Sequence, residues 1–157
     1  MNKKSSNLNI RLLAINSGFT LIEMLVVISL IGILAALALV SFTASQKQAR
    51  DVTRKSDLKQ YQTSLENYAN KNNGNYPISA STPLSSGAVC TALAIGTCPA
   101  DPKDISPLQY RYISDGLKYV IWGGLENKTP TVYWVVCSTG KIGEKTGSAP
   151  SSSTCPI

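Results

Sequence analysis

Two sets of residues in this chain have side chains that could define a function. The first is a single carboxylate, Glu23, inside an apolar run from Phe19 to Val40 that holds no other charge. A charge at the middle of a membrane-length helix costs roughly 2.5–3.5 kcal/mol to insert, and less near the helix end. A carboxylate kept at such a position calls for a cationic partner. The second set is Cys90, Cys98, Cys137 and Cys155, all beyond the apolar run. Cysteines in a small domain either close disulfides outside the reducing cytosol or ligate a metal as thiolates. No Cys-x-x-Cys pair occurs and the chain has no histidine, which argues against zinc or any other metal site. The missing histidine also removes the commonest general base, so neither Ser-His-Asp nor Cys-His chemistry can be built from this chain. No catalytic residues and no cofactor are expected.

The elements that must carry these groups follow from hydropathy and turn signals. At about 1.5 Å per residue, Phe19–Val40 as a helix reaches roughly 33 Å, enough to cross about 30 Å of hydrocarbon. Beyond Val40 no proline occurs until Pro77, and apolar residues become periodic. Val52, Leu58, Tyr61, Leu65 and Tyr68 are expected to mark one buried face, with Lys55, Lys59, Gln62 and Glu66 largely elsewhere. Asn72-Asn73-Gly74-Asn75 followed by Pro77 should end the helix. From Tyr76 to Pro107 the chain is rich in Pro, Ser, Thr, Gly and Ala and is read as irregular. Three β-like runs come next: Gln109–Ile113, Leu117–Trp122 and Thr131–Cys137. The first two are joined by Ser114-Asp115-Gly116, a hairpin signal, and a small antiparallel sheet against the helix is expected. Alternation places Val132, Trp134 and Val136 on one face of the last strand and Tyr133, Val135 and Cys137 on the other. Asp101, Asp104 and Asp115 are read as turn residues.

Gly18-Phe19-Thr20-Leu21-Ile22-Glu23, after a short basic leader and before a long apolar helix, resembles the N-terminus of type IV pilins and the related type II secretion pseudopilins. Looser similarity touches Gly32-Ile33-Leu34-Ala35, Asn73-Gly74-Asn75-Tyr76-Pro77 and the stretch from Tyr110 to Glu126. The resemblance implies an α+β pilin-like fold, with a long N-terminal helix packed on a small antiparallel sheet. It implies that a prepilin peptidase cuts between Gly18 and Phe19 and that the new amine of Phe19 is methylated. It also implies that Glu23 meets the Phe19 amine of a neighbouring copy, which would set the axial stagger of a self-assembled filament. The organisation then expected is a leader at 1–18, a transmembrane helix segment at 19–40, its amphipathic continuation at 41–73 and a globular head at 74–157. Many type IV pilins have a proline where this chain has Val40, so Gly32 remains the obvious weak point of the helix. Pseudopilins often lack that proline too, and the subclass stays open. Partners so implied are other copies of the chain, the peptidase, a pilus or secretion assembly platform, and the cytoplasmic membrane before assembly.

Four cysteines allow three connectivities; Cys90–Cys98 with Cys137–Cys155 is favoured because each closes a local loop. The second would tie down a Ser/Thr/Gly/Pro-rich tail, similar to the disulfide-bounded C-terminal loop of many pilins. Lys3, Lys4 and Arg11 before the apolar run are matched by Lys47, Arg50, Arg54 and Lys55 after it, so charge leaves orientation open. The cysteines and the leader motif favour a cytoplasmic leader and an external C-terminal part, ending in an extracellular or periplasmic filament.

Blander and rival readings share parts of this pattern. A secretory signal peptide could end at Ala36-Leu37-Ala38, but the apolar run exceeds the roughly 7–15 residues of such a core and carries a glutamate. A plain anchor explains the helix and neither Gly18-Phe19 nor Glu23. Without the leader's three basic residues the 15 in the chain fall to 12 against 9 acidic, a surplus too small to argue for nucleic acid. A pilus-borne DNA-uptake or adhesive module would need Lys103, Arg111, Lys118, Lys128, Lys141 and Lys145 to form one patch. Tyr110, Tyr112, Tyr119, Trp122, Tyr133 and Trp134 could stack sugars or bases, though core and cross-strand packing is the more economical reading. Asn127-Lys128-Thr129 matches a glycosylation sequon weakened by Pro130.

Overall fold

The computed structural model describes residues 18–85 and 87–157. Most of the leader, with Lys3, Lys4 and Arg11, lies outside the described residues. The chain divides into two compact units, the first ending at Val40 and the second spanning Ser41–Ile157. Helix α1, Leu21–Lys71, contributes its first part to one and its remainder to the other.

In the first unit α1 passes through Gly32 as helix, and beyond the helix's own neighbouring backbone a Cβ on Gly32 would meet open space. The side chains from Leu21 to Ala38 are exposed throughout. Of the described residues only α1 is long and apolar enough to cross a membrane, by length and composition.

The second unit is α+β. Its elements are the rest of α1, β1 (Ser79–Pro83), α2 (Ala88–Leu93), β2 (Arg111–Ser114), β3 (Tyr119–Gly124), β4 (Val132–Cys137) and β5 (Ile142–Thr146). The strands form one antiparallel sheet in the order β1-β2-β3-β4-β5, so every strand pairs with its neighbour in sequence. α1 stops where its turn chemistry demands. Asn73 and Gly74 take φ of 55° and 80°, and the Gly74 N–H returns to the Ala69 carbonyl at 2.8 Å. The Asp115 carboxylate then shapes the β2–β3 turn by accepting the Leu117 and Lys118 N–H groups at 2.9 and 2.8 Å.

Period-two alternation decides what each sheet face buries. Tyr112, Ile121 and Val136 lie side by side across β2, β3 and β4 and pack with Leu58, Tyr61 and Leu65 of α1. Trp122 and Val135, with Val120 and Cys137, face the other way, where Cys155 and Ile157 of the C-terminal tail pack against them. Both faces are thus covered, and each large side chain taken from water contributes about 1.5–3 kcal/mol.

Several expectations need correction. Val52 is 61% exposed, while Gln62, expected elsewhere, is buried. The buried stripe instead continues toward the start of the unit through Asp51 and Arg54. The stretch read as irregular contains β1 and α2, and β5 was not anticipated. β2 and β3 begin two residues later than the patterning suggested, at Arg111 and Tyr119.

Candidate functional site

The N-terminal segment is built around a reciprocal cap. Thr20 N–H and Thr20 Oγ1 both donate to Glu23 Oε2, at 2.8 and 2.7 Å, and Glu23 N–H donates to Thr20 Oγ1 at 3.2 Å. This is a capping box: threonine at the N-cap and glutamate three residues on satisfy donors that a helix start leaves without partners. The glutamate that sequence reasoning singled out as needing a cation is held by local hydrogen bonds alone among the described residues. Phe19, Ile22, Val26 and Val27 line an open groove beside it, of about 430 Å³. Gly18 and Phe19 themselves are exposed.

That geometry belongs to a helix start that presents one carboxylate on an unburied apolar face. Residues 14–39 match the family model described as the prokaryotic N-terminal methylation motif. The chain thus carries at its N-terminus a motif similar to that of type IV pilins and pseudopilins. The chain is also similar to the type IV major pilin protein PilA of Myxococcus xanthus (strain DK1622), 40% identical over 53 residues. The match takes in 34% of this chain and 24% of the relative, so the chain spans about a quarter of the curated relative it matches. No solved structure matches significantly. The head is pilin-like in architecture, with the helix against a small antiparallel sheet.

The cysteines are paired as Cys90–Cys98 and Cys137–Cys155, with Cα separations of 6.0 and 5.6 Å, and none is free. The first ties α2 to the segment that follows it; the second fastens the C-terminal tail to β4.

The head also holds a charge cluster that sequence reasoning missed. Arg54 is fully buried and its Nε and Nη2 donate to the two carboxylate oxygens of Asp101 at 2.5 and 3.2 Å. Its Nη1 donates to Asp51 at 2.8 Å and lies 3.6 Å from Glu126. Asp51 in turn accepts the backbone N–H groups of Glu126 and Asn127, at 2.8 and 2.9 Å. Arg50 binds Glu126 at 2.6 Å, and Lys103 pairs with the other oxygen of the same carboxylate. Burial disfavours the Arg54 cation, but hydrogen bonds to Asp101 and Asp51 outweigh it and raise its pKa. Desolvation pushes Glu126 upward, yet the hydrogen bonds and charges of Arg50 and Lys103 bring it down to about 2. The cluster joins α1, the loop before β2 and the β3–β4 loop. Asp101 is a turn residue as expected, accepting the Lys103 and Asp104 N–H groups, and an ion-pair anchor as well.

The rival surfaces fare differently. Tyr110, Tyr112, Tyr119 and Trp122 are buried in the core and cannot present rings to a ligand. Trp134 is partly covered by Lys55, whose Nζ sits 4.2 Å from the ring centroid. Lys103 and Lys128 are paired with Glu126 and Glu144, and Arg111 and Lys145 bind Ser81 and Ser148. Of the six basic residues named for a nucleic-acid surface, Lys103 and Lys128 are thus partly neutralised by carboxylates, whereas Arg111 and Lys145 keep their full charge.

Proposed function

We propose that the chain is a type IV pilin-like filament subunit, stored in the cytoplasmic membrane and assembled by bundling of its N-terminal helix. The observation that carries this reading is the exposed apolar surface of Leu21–Ala38 with one capped carboxylate at its head. In water each exposed side chain of this surface would cost about 1.5–3 kcal/mol, so outside a bilayer the helix must meet other apolar helices. Cleavage after Gly18 by a prepilin peptidase would create a cationic amine on Phe19, which methylation leaves charged. Glu23 of one copy then pairs with the Phe19 amine of the next, exchanging its bonds to Thr20 for a charge-assisted one. Such a pair in low dielectric specifies register more than it adds stability. The head faces outward on the non-cytoplasmic side, where the two disulfides persist.

Intact mass and N-terminal sequencing of protein recovered from membrane and from sheared fibres tests the reading. A chain starting at Phe19 and heavier by one methyl group is expected; a start at Met1 or beyond Ala38 would sink it. Glu23→Val should be processed yet assemble poorly, and assembly at the normal rate would remove the register role. The resemblance to a major pilin favours a pilus over a secretion pseudopilus. Loss of secretion with surface fibres intact, on deletion of the chain, would reverse that choice.

A further inference from the structure

A second cleft lies on the head, between the last turns of α1 and α2, with a volume of about 410 Å³. This is within the roughly 300–1,000 Å³ range of small-ligand sites. One wall is a single helical face carrying Asn67, Tyr68, Lys71 and Asn72; the other is the end of α2 with Leu93 and Ile95. Asn72 Nδ2 is committed to the Tyr68 carbonyl at 2.7 Å. Among the described residues, no hydrogen bond or ion pair engages the Asn67 amide, the Tyr68 hydroxyl or the Lys71 ammonium. None of the lining residues is acidic. The opposite wall is fixed by the Cys90–Cys98 disulfide, which ties α2 to the segment that follows it.

We propose that this cleft binds a carboxylate-bearing pyranose, the terminal acidic sugar of a glycan. An aromatic ring beside apolar Leu93 and Ile95 suits the C–H face of a sugar, and a tyrosine hydroxyl and two amides suit its hydroxyl groups. One ammonium without a competing acid selects a single negative charge. A phosphate ester is the poorer match, because no helix N-terminus, arginine fork or second cation faces the cleft. The proposal does not depend on the filament reading, since every residue used belongs to the head.

The test is saturation-transfer NMR and calorimetry on the full chain in detergent micelles, with 3′-sialyllactose, a glucuronic-acid disaccharide, neutral lactose and sodium acetate as probes. The two acidic sugars separate a sialylated from a uronic-acid source, and binding of either at about 1 mM supports the site. Lactose should bind about tenfold more weakly, as should the acidic sugar to Lys71→Ala. The exposed pair Asn67→Ala/Lys71→Ala touches no core residue and should abolish binding with unfolding unchanged. Tyr68→Phe keeps the ring and tests the hydroxyl separately. No saturation transfer to either acidic sugar, equal binding of lactose or acetate, or unchanged binding in the double variant would overturn the proposal.

Discussion

Replacing Asp101 by alanine should destabilise the head more than its position in a loop suggests. The Asp101 and Arg54 side chains are both fully buried and joined by two hydrogen bonds, at 2.5 and 3.2 Å. Removing one partner of a buried pair costs roughly 3–5 kcal/mol, because the remaining charge stays out of water unpaired. Here Asp51 at 2.8 Å and Glu126 at 3.6 Å still face Arg54, which places the expected loss at the lower end, about 3 kcal/mol. For a unit of this size about 1 kcal/mol corresponds to roughly 4 °C, so Tm should fall by about 12 °C. Both tryptophans of the chain, Trp122 and Trp134, lie in the head. Urea unfolding of the full chain followed by tryptophan fluorescence therefore reports on that unit. The decisive control combines Arg54→Met with Asp51→Asn and Asp101→Asn, which removes the buried cation together with both carboxylates it binds and keeps side-chain acceptors for the Lys103, Asp104, Glu126 and Asn127 N–H groups. It should recover part of the loss, since replacing a whole buried ion cluster by neutral groups is far less costly than leaving one charge unpaired. A loss below about 1 kcal/mol in the single variant, or no recovery in the triple one, would refute the view that the uncompensated charge dominates.

Other outcomes follow from neighbouring features. Glu126 sits at about 2, below its ordinary value of 4.5, so its contribution is complete above the ordinary value and is lost as pH falls through about 2. Linkage alone would give roughly 3 kcal/mol, and screening at the partly exposed Arg50 and Lys103 reduces this to about 1–2. Glu126→Gln should accordingly flatten the stability profile between pH 4.5 and 2, measured by urea midpoints. Cys137→Ser/Cys155→Ser opens a loop of 18 residues and should cost about 3 kcal/mol in the same assay. Gly124→Ala would place a Cβ 2.6 Å from the Pro107 carbonyl oxygen, backbone that cannot swing aside, and should cost about 1–3 kcal/mol by thermal unfolding.

Legibility in the sequence tracked how local the determining physics was. Gly18-Phe19 through Glu23 is a linear motif, and its helix is set by continuous apolarity, so both could be read directly. Ser114-Asp115-Gly116 and Asn72-Asn73-Gly74 carry their turn chemistry within a few residues and marked real boundaries. β1 is made of Ser, Ala, Thr and Pro, and its pairing with β2 carries an irregularity between Ser79 and Thr82. Its neighbour recruits it rather than its own propensity. β5 alternates exposed and half-buried residues at a sheet edge, where charge is common and the apolar signal weak. Val52 fitted the helical period and is nonetheless exposed, because Asp51 and Arg54 occupy the buried side at that level. Arg54 and Asp101 are 47 residues apart, and charged residues default to the surface, so no local pattern announces their pairing.

The agreement between strand order and chain order bears on how the head is made. Each of β2 to β5 has as its partner the strand that came before it. A head delivered from its N-terminal side can therefore lay every new strand on one already in place. The helix that supplies Leu58, Tyr61 and Leu65 comes first of all. The loops joining β2 to β3, β3 to β4 and β4 to β5 stay short, and only the connection carrying α2 is long, which favours rapid folding over the slow searches that distant strand pairings require. A circular permutant that moved β1 and β2 behind β5 would keep the same contacts yet force the middle of the sheet to wait for the end of the chain.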